Sequence, residues 1–175
     1  FIVSSAIGFY GNRGDEELTE ESPRGEGFLP DICDAWEQSA QPARDAGIRT
    51  IHCRTSLVLD ATGGALKKML LPAQLGAGGP IGWGKQWYSW MAMDDQVYAI
   101  DHVMMTKECN GAYNFSSPTP VRQKIFAKIL GKVLWRPSFI PVPTFGIWFL
   151  LGKMGVTLAT DSSKVLPNRL VESGY

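Results

Sequence analysis

The sequence predicts an α/β chain, the back portion of a parallel sheet joined to a small, mostly helical C-terminal lobe. Three observations lead there. Residues 1–59 run strand, loop, helix, strand, the βαβ rhythm of a parallel sheet. The chain opens on Phe1-Ile2-Val3, a strand already in progress, so a preceding segment is expected. After residue 120 the apolar spacing turns helical.

The elements follow in order. Phe1 to Ser4 reads as a short buried strand. Residues 11–27, rich in Gly, Pro, Asp, Glu and Ser, read as a surface loop. In residues 28–46, Leu29, Ile32, Cys33, Trp36 and Ala40 share one helical face; Pro42 bends or ends the helix and Gly47 closes it. Residues 48–59 read as a strand, 65–75 as a helix, and 76–84 as a glycine-dense run that is either a substrate-side loop or a plain connector. A strand is expected over 86–93, with Asp94 capping a helix over 95–105. Residues 111–115 complete the strands. Residues 120–134 read as a helix with Val121, Ile125, Ile129, Leu130 and Val133 on one side. A Pro-Val-Pro linker at 141–143 then leads to helices over 144–159 and 162–172.

Composition narrows the function. The 175 residues are 45% hydrophobic and carry 17 basic and 17 acidic side chains. That zero balance gives no electrostatic case for nucleic acid or an anionic membrane, and neither partner is expected. The longest apolar stretch, 143–159, is interrupted by Lys153 and falls short of the ~20 residues a membrane span needs. Cys33, Cys53 and Cys109 are scattered and odd in number, and only His52 and His102 could join them. They read as buried thiols of a reducing cytoplasm, with no disulfide framework and no metal site.

Ser4-Ser5-Ala6-Ile7-Gly8-Phe9-Tyr10-Gly11 lies at the carboxyl end of the first strand, where ligands bind in open α/β sheets. A hydroxyl there can meet a carbonyl or alcohol oxygen; it can equally satisfy backbone groups at the strand exit. Asp94-Asp95 is read as helix capping, and His52 and His102 as structural. Phe145, Trp148, Phe149 and Met154 form an aromatic face at helical spacing, suited to core packing or a partner helix.

The strand exit Ser-Ser-Ala followed by Tyr-Gly resembles the extended short-chain dehydrogenases and sugar epimerases. Further pieces come in that family's order: Leu18 to Pro23, Trp36-Glu37, Arg54 to Leu59, Gly63 to Met69, Gly78-Gly79-Pro80, Trp90 with Asp94-Asp95, Asn114 to Val121, and Val165-Leu166-Pro167 with Arg169-Leu170. Together they are similar to the NAD-dependent epimerase/dehydratase-like branch with a C-terminal helical extension, some of whose members carry a label as cell-division inhibitors. The resemblance implies a Rossmann-like fold. Residues 1–62 would end the cofactor domain, 63–140 form a substrate lobe interleaved with the last strands, and 141–175 the extension. It implies NAD(P), with NADP ahead of NAD, and a small-molecule substrate. A homodimer in the cytoplasm is compatible with it.

By the same resemblance Ser5 is the candidate catalytic hydroxyl, and Tyr10 the nearest phenol. Ser4, Ser5, Ala6, Arg54, Thr55, Ser56 and Val58 would border the cofactor. Lys85, Gln86 and Trp87 would face substrate, with Tyr88 or Trp87 where sugar-nucleotide epimerases often keep a diphosphate-binding Arg. Two departures stand out. The glycine-rich dinucleotide turn is absent and expected before Phe1. The family's Tyr-x-x-x-Lys is absent too, although its helix is present. Aligned on Glu37, the Tyr position falls at Leu29 or Phe28 and the Lys position at Cys33. Counting from Gly11, the hydroxyl position falls on Ala6, and on Ser5 only if the strand exit bulges. Three readings stay open: an enzyme with altered chemistry, an idle cofactor-binding sensor or scaffold, and an interaction module built on the face around Trp148.

Overall fold

A computed structural model describes residues 1–142, 156–157 and 159–175. Its centre is a three-stranded parallel sheet of β1 (Ile2–Ala6), β3 (Ile51–Thr55) and β7 (Gly111–Phe115), in the order β1-β3-β7. Parallel strands need crossovers, and the helices supply them. The crossover from β1 to β3 carries a 3₁₀ turn at Ile7–Tyr10, the short strand β2 (Glu17–Leu18), and helices α1 (Phe28–Gln38) and α2 (Gln41–Asp45). The expected single helix over 28–46 is therefore two. The chain breaks at Ser39 and Ala40, because Pro42, which lacks an N–H, sits in the first turn of α2. The expected loop 11–27 contains β2, which pairs with β9 (Lys164–Val165).

The crossover from β3 to β7 carries the lobe. The apolar run 48–59 divides between β3 and β4 (Leu57–Leu59); β4 leaves the main sheet and pairs with β6 (Trp90–Ala92). Between them lie α3 (Gly64–Gln74) and β5 (Trp87–Tyr88), and β5 pairs antiparallel with β8 (Val121–Arg122). Helix α4 (Met93–Met105) starts two residues earlier than expected. Ala92 is its N-cap, with no side-chain cap bond; Asp94 and Asp95 lie in its first turn, where their charge meets the positive end of the helix dipole. Helix α5 is Gln123–Leu134. The helix expected over 162–172 is instead β9 followed by the short α6 (Asn168–Glu172), with Val165 fully buried against Leu18 and Tyr10. The expected helix over 144–159, and with it the face around Trp148, lies largely outside the described residues.

The main core is Ile51, Cys53, Met91, Ala99, Val103, Tyr113, Phe115 and Leu170, between the sheet, α4 and α6. Cys33, Cys53 and Cys109 are free, buried thiols. Among the described residues no helix is long and apolar enough to cross a membrane, and no cluster of His, Cys, Asp and Glu is fit for a metal ion.

Arg49, just before β3, closes the far end of α4. Its guanidinium donates to the carbonyls of Val103, Thr106 and Cys109 at 2.9, 3.1 and 2.9 Å and to Met104 at 2.7 Å. Val103 and Met104 are among the last carbonyls of α4, which a helix end leaves without intrahelical partners; Thr106 and Cys109 lie in the turn that follows. Arg49→Ala is expected to cost about 2 kcal/mol, the scale of hydrogen bonds to a charged group. A thermal melt should drop by roughly 4–8 °C.

Candidate functional site

Three polar residues stand side by side across the sheet. Ser5 of β1 registers with Arg54 of β3, and Arg54 with Asn114 of β7. All three are buried near the carboxyl ends of their strands. Side chains alternate faces along a strand, so equal register puts all three on one face. Helix α1 and the 3₁₀ turn cover that face and bring Glu37 and Tyr10 to the row.

The row is a closed hydrogen-bond network. Ser5 Oγ donates to Glu37 Oε1 at 2.8 Å. Arg54 grips the same carboxylate with two bonds, Nε to Oε1 at 2.8 Å and Nη2 to Oε2 at 2.9 Å. This fork is the strong geometry for an ion pair. Arg54 Nη1 donates to Tyr10 Oη at 3.0 Å, and Tyr10 Oη donates to Asn114 Oδ1 at 2.7 Å. Asn114 Nδ2 donates to the Leu166 carbonyl at 3.0 Å, and its backbone N–H donates to Glu20 Oε1 at 3.0 Å. The guanidinium also lies 3.5 Å from the centre of the Phe9 ring, a cation–π contact.

This arrangement fixes the charge states. Burial pushes the Tyr10 phenol up, against the opposing pull of Arg54 and Asn114. Burial alone would raise the Glu37 carboxyl, but the bonds and charge of Arg54, helped by Ser5, hold it below its ordinary value. Burial would lower Arg54, and Glu37 and Tyr10 turn the shift upward. The shifts of Tyr10, Glu37 and Arg54 all favour a neutral phenol, an ionised carboxylate and a charged guanidinium, so the ion pair at the centre of the row is held together.

A pH dependence follows. A carboxyl lowered in the folded state stabilises above its unfolded value of ~4.3, and that contribution fades as pH falls through the folded value. His52 is lowered mainly by burial, with Arg44 and Arg54 opposing charge on the ring and Glu37 favouring it. The unfolded chain then takes up a proton near pH ~6.5 before the folded one does, so stability drops as pH falls below that point. Melting temperature should fall from neutrality toward pH ~5, with the His52 part of the slope missing in His52→Gln.

The positions that would carry Tyr-x-x-x-Lys hold no phenol and no amine. A Cβ added at Gly8, in the 3₁₀ turn, would stand 3.5 Å from both Cys33 Sγ and Leu29 Cβ. Burial raises the Cys33 thiol, which lies against the backbone of Ala6 and Phe9. Phe28 points to solvent. The β1 register runs unbroken from Ile2 to Ala6, with no bulge, so Ser5 turns inward to Glu37 and Ala6 to the other face.

Of the expected site residues, the structure brings Ser5, Tyr10 and Arg54 together. Ser4 is exposed; Ala6 and Thr55 sit at the exits, and Thr55 Oγ1 returns to the Cys53 carbonyl at 3.3 Å. Ser56 Oγ is buried with no partner among the described residues. Val58 belongs to β4 in the second sheet. Gln86 Nε2 donates to the Ala159 carbonyl at 2.9 Å. Trp87 Nε1 donates to Asp15 Oδ1 at 3.0 Å, and its ring is flanked by Arg122 and Lys164 at 4.1 and 4.8 Å. Lys85 is exposed, its carbonyl taking a bond from Arg122. Tyr88 is buried and donates to the Ala159 carbonyl at 3.1 Å. Glu37, Asn114 and Glu20 were missed as members of the site. The available signal was a polar residue at the same depth in each of three apolar strands. A shallow cavity of about 380 Å³ lies apart from the row, near the start of β7, lined in part by Tyr113, Arg169 and Glu172.

A parallel sheet with crossover helices, a polar row at the strand exits and a lobe inserted before the last strand define a Rossmann-like α/β protein of the extended short-chain type. The chain belongs to the extended short-chain dehydrogenase/reductase superfamily, in its epimerase-family branch. No family model matches it. It is 38% identical over 174 residues to the chloroplastic epimerase family protein SDR39U1 homolog of Arabidopsis thaliana, covering 99% of this chain and 50% of that protein. It is 35% identical over 175 residues to epimerase family protein YfhF of Bacillus subtilis, covering 99% and 57%. Human epimerase family protein SDR39U1 (isoform 2), crystallised with NADPH, superposes with a TM-score of 0.92 at 30% identity, covering 99% of this chain and 59% of that one. The chain thus spans about half the length of the curated relatives it matches.

Proposed function

We propose that this chain is the substrate-side portion of an NADP(H)-binding, epimerase- or reductase-like protein acting on a small or nucleotide-linked hydroxyl or carbonyl compound. The observation that carries this reading is the Ser5–Arg54–Asn114 row beneath three parallel strand exits, the place where open α/β sheets take ligands. The likeness to a relative crystallised with NADPH supports NADP over NAD. In this reading Ser4, Ala6, Thr55, Ser56 and Val58 border the cofactor, with Ser5, Arg54 and Tyr10 holding the wall behind it. Lys85 offers its exposed ammonium to substrate, and Gln86 and Trp87 fix the lobe. A homodimer and a cytoplasmic location belong to the same reading. The residues 1–62, 63–140 and 141–175 divide accordingly into cofactor-domain end, lobe and extension.

A second reading, a cofactor-binding sensor without turnover, is favoured by one observation. Leu29 and Cys33 are packed against Gly8 and leave no proton donor where Tyr and Lys would act. NADPH titration of the complete protein, followed by tryptophan fluorescence, should saturate; a flat titration defeats both readings. Hydride exchange from isotopically labelled NADPH into a panel of carbonyl compounds then separates them. Transfer of label supports the enzyme, and binding with no transfer to any member supports the sensor.

A further inference from the structure

The zero net charge hides a segregation. No Asp or Glu occurs between Asp60 and Asp94, and none between Glu108 and Asp161. These two stretches, which hold the lobe, nevertheless contain nine of the 17 Lys and Arg residues. The acidic charge lies entirely in the rest of the chain.

Helix α5 concentrates this asymmetry. Its inward face is made of Gln123, Ala127 and Gly131. Its outward face carries two parallel stripes at four-residue spacing. One stripe is Lys124, Lys128 and Lys132, all exposed. The other is Ile125, Ile129 and Val133, which are 43%, 53% and 67% exposed. The next residue but one, Trp135, is 89% exposed and is the one non-glycine residue with positive φ among those described, at 55°. A left-handed non-glycine residue costs of order 1–3 kcal/mol and tends to mark function.

The surface continues onto α3. Arg136 Nε donates to the Gln74 carbonyl at 2.8 Å, tying the two helix ends together. Exposed Leu71 and Leu75 of that end, and Phe139 beyond Arg136, extend the apolar area. Single exposed apolar residues are ordinary, but a contiguous patch marks an interaction site.

We propose that this face of the lobe binds peripherally to an anionic lipid surface, α5 lying in the interface plane. Basic and apolar stripes side by side on one exposed helix face, with an aromatic at its end, are the chemistry of an interfacial helix. Nucleic acid would use the lysines and leave the isoleucines in water. The α5 of a second copy carries no Asp or Glu and would leave the lysine stripe without an acidic partner. An acidic bilayer satisfies both stripes at once, and requires no crossing helix.

The test uses the complete protein and flotation with two kinds of vesicle, pure phosphatidylcholine and phosphatidylcholine mixed with an equal part of phosphatidylglycerol. Association with the mixed vesicles that weakens as salt is raised is expected. K128Q/K132Q should lower the partition coefficient roughly thirtyfold. Ile129→Gln with Val133→Gln should also release the protein, while circular dichroism and NADPH titration stay unchanged, since all four side chains are exposed. Failure to float with either lipid, equal binding to both, or lysine variants that float like the parent overturn the proposal. So does self-association that the Ile129 and Val133 changes abolish without any vesicle binding, which would assign the face to a second copy.

Discussion

Arg54→Leu should lower the stability of the protein by about 3–5 kcal/mol, the cost of leaving half of a buried ion pair. Arg54 is 5% exposed and Glu37 8%. Without the guanidinium the carboxylate keeps only the Ser5 hydroxyl, Tyr10 loses its donor, and Phe9 loses the cation over its ring. Glu37 would then rise toward protonation, because burial is already the largest influence on it and acts upward. Urea unfolding measures the loss directly. The double variant Arg54→Leu with Glu37→Leu removes both charges and should recover much of it, since apolar replacement of a complete buried pair is often neutral. A double-mutant cycle in which the two losses simply add would mean that the pair is not coupled as its geometry requires. If NADPH affinity falls with Arg54→Leu by more than the loss of folded protein explains, the row also positions the cofactor wall.

The sheet was legible because its strands are short apolar runs separated by helical periodicity. Residues 111–115 carry the same signal in sequence as in space. Two-residue strands such as β2, β5, β8 and β9 have no period to read, so the loop over 11–27 and the helix over 162–172 were misassigned. Periodicity also fails to say which side of an amphipathic helix is covered. Val121, Ile125, Ile129, Leu130 and Val133 were expected on one side of their helix, yet Ile125, Ile129 and Val133 are exposed and Gly131 faces inward. Its backbone is so close to Ser138 that a Cβ would stand 2.6 Å from the serine Cβ. Close approach at a small residue outcompeted the apolar stripe. The site was half legible for a related reason. Ser5, Tyr10 and Arg54 announce themselves near strand ends, but the partners of Ser5 and Tyr10 come from 32 and 104 positions away and the carboxylate that Arg54 grips from 17. Only the tertiary register places Asn114 beside Arg54.

Gly79→Ala is the second large effect expected, about 3 kcal/mol, at the upper end of overpacking costs. The glycine-dense run 76–84 is not a free connector. The Val142 N–H donates to the Pro80 carbonyl at 2.7 Å, the Gly82 N–H to the Val142 carbonyl at 3.2 Å, and Ile81 and Val142 form a parallel bridge. Along this seam a Cβ on Gly79 would come within 1.8 Å of the Ile140 carbonyl oxygen and 2.7 Å of its carbon. Both are backbone atoms, so no side-chain rotation relieves the overlap, and the seam has to part. Hydrogen exchange should then show the Val142 amide losing protection while the Arg54 and Asn114 amides keep theirs. Gly82→Ala is the control. Its added Cβ meets nothing within 4 Å but keeps a φ of +56°, so only the conformational cost of roughly 1–2 kcal/mol is expected. Equal stability of the two variants, or full protection of Val142 in Gly79→Ala, would show that the seam does not hold the lobe. A measured gap between them would establish that the run is a packed seam, fixed in place by the absence of one methyl group.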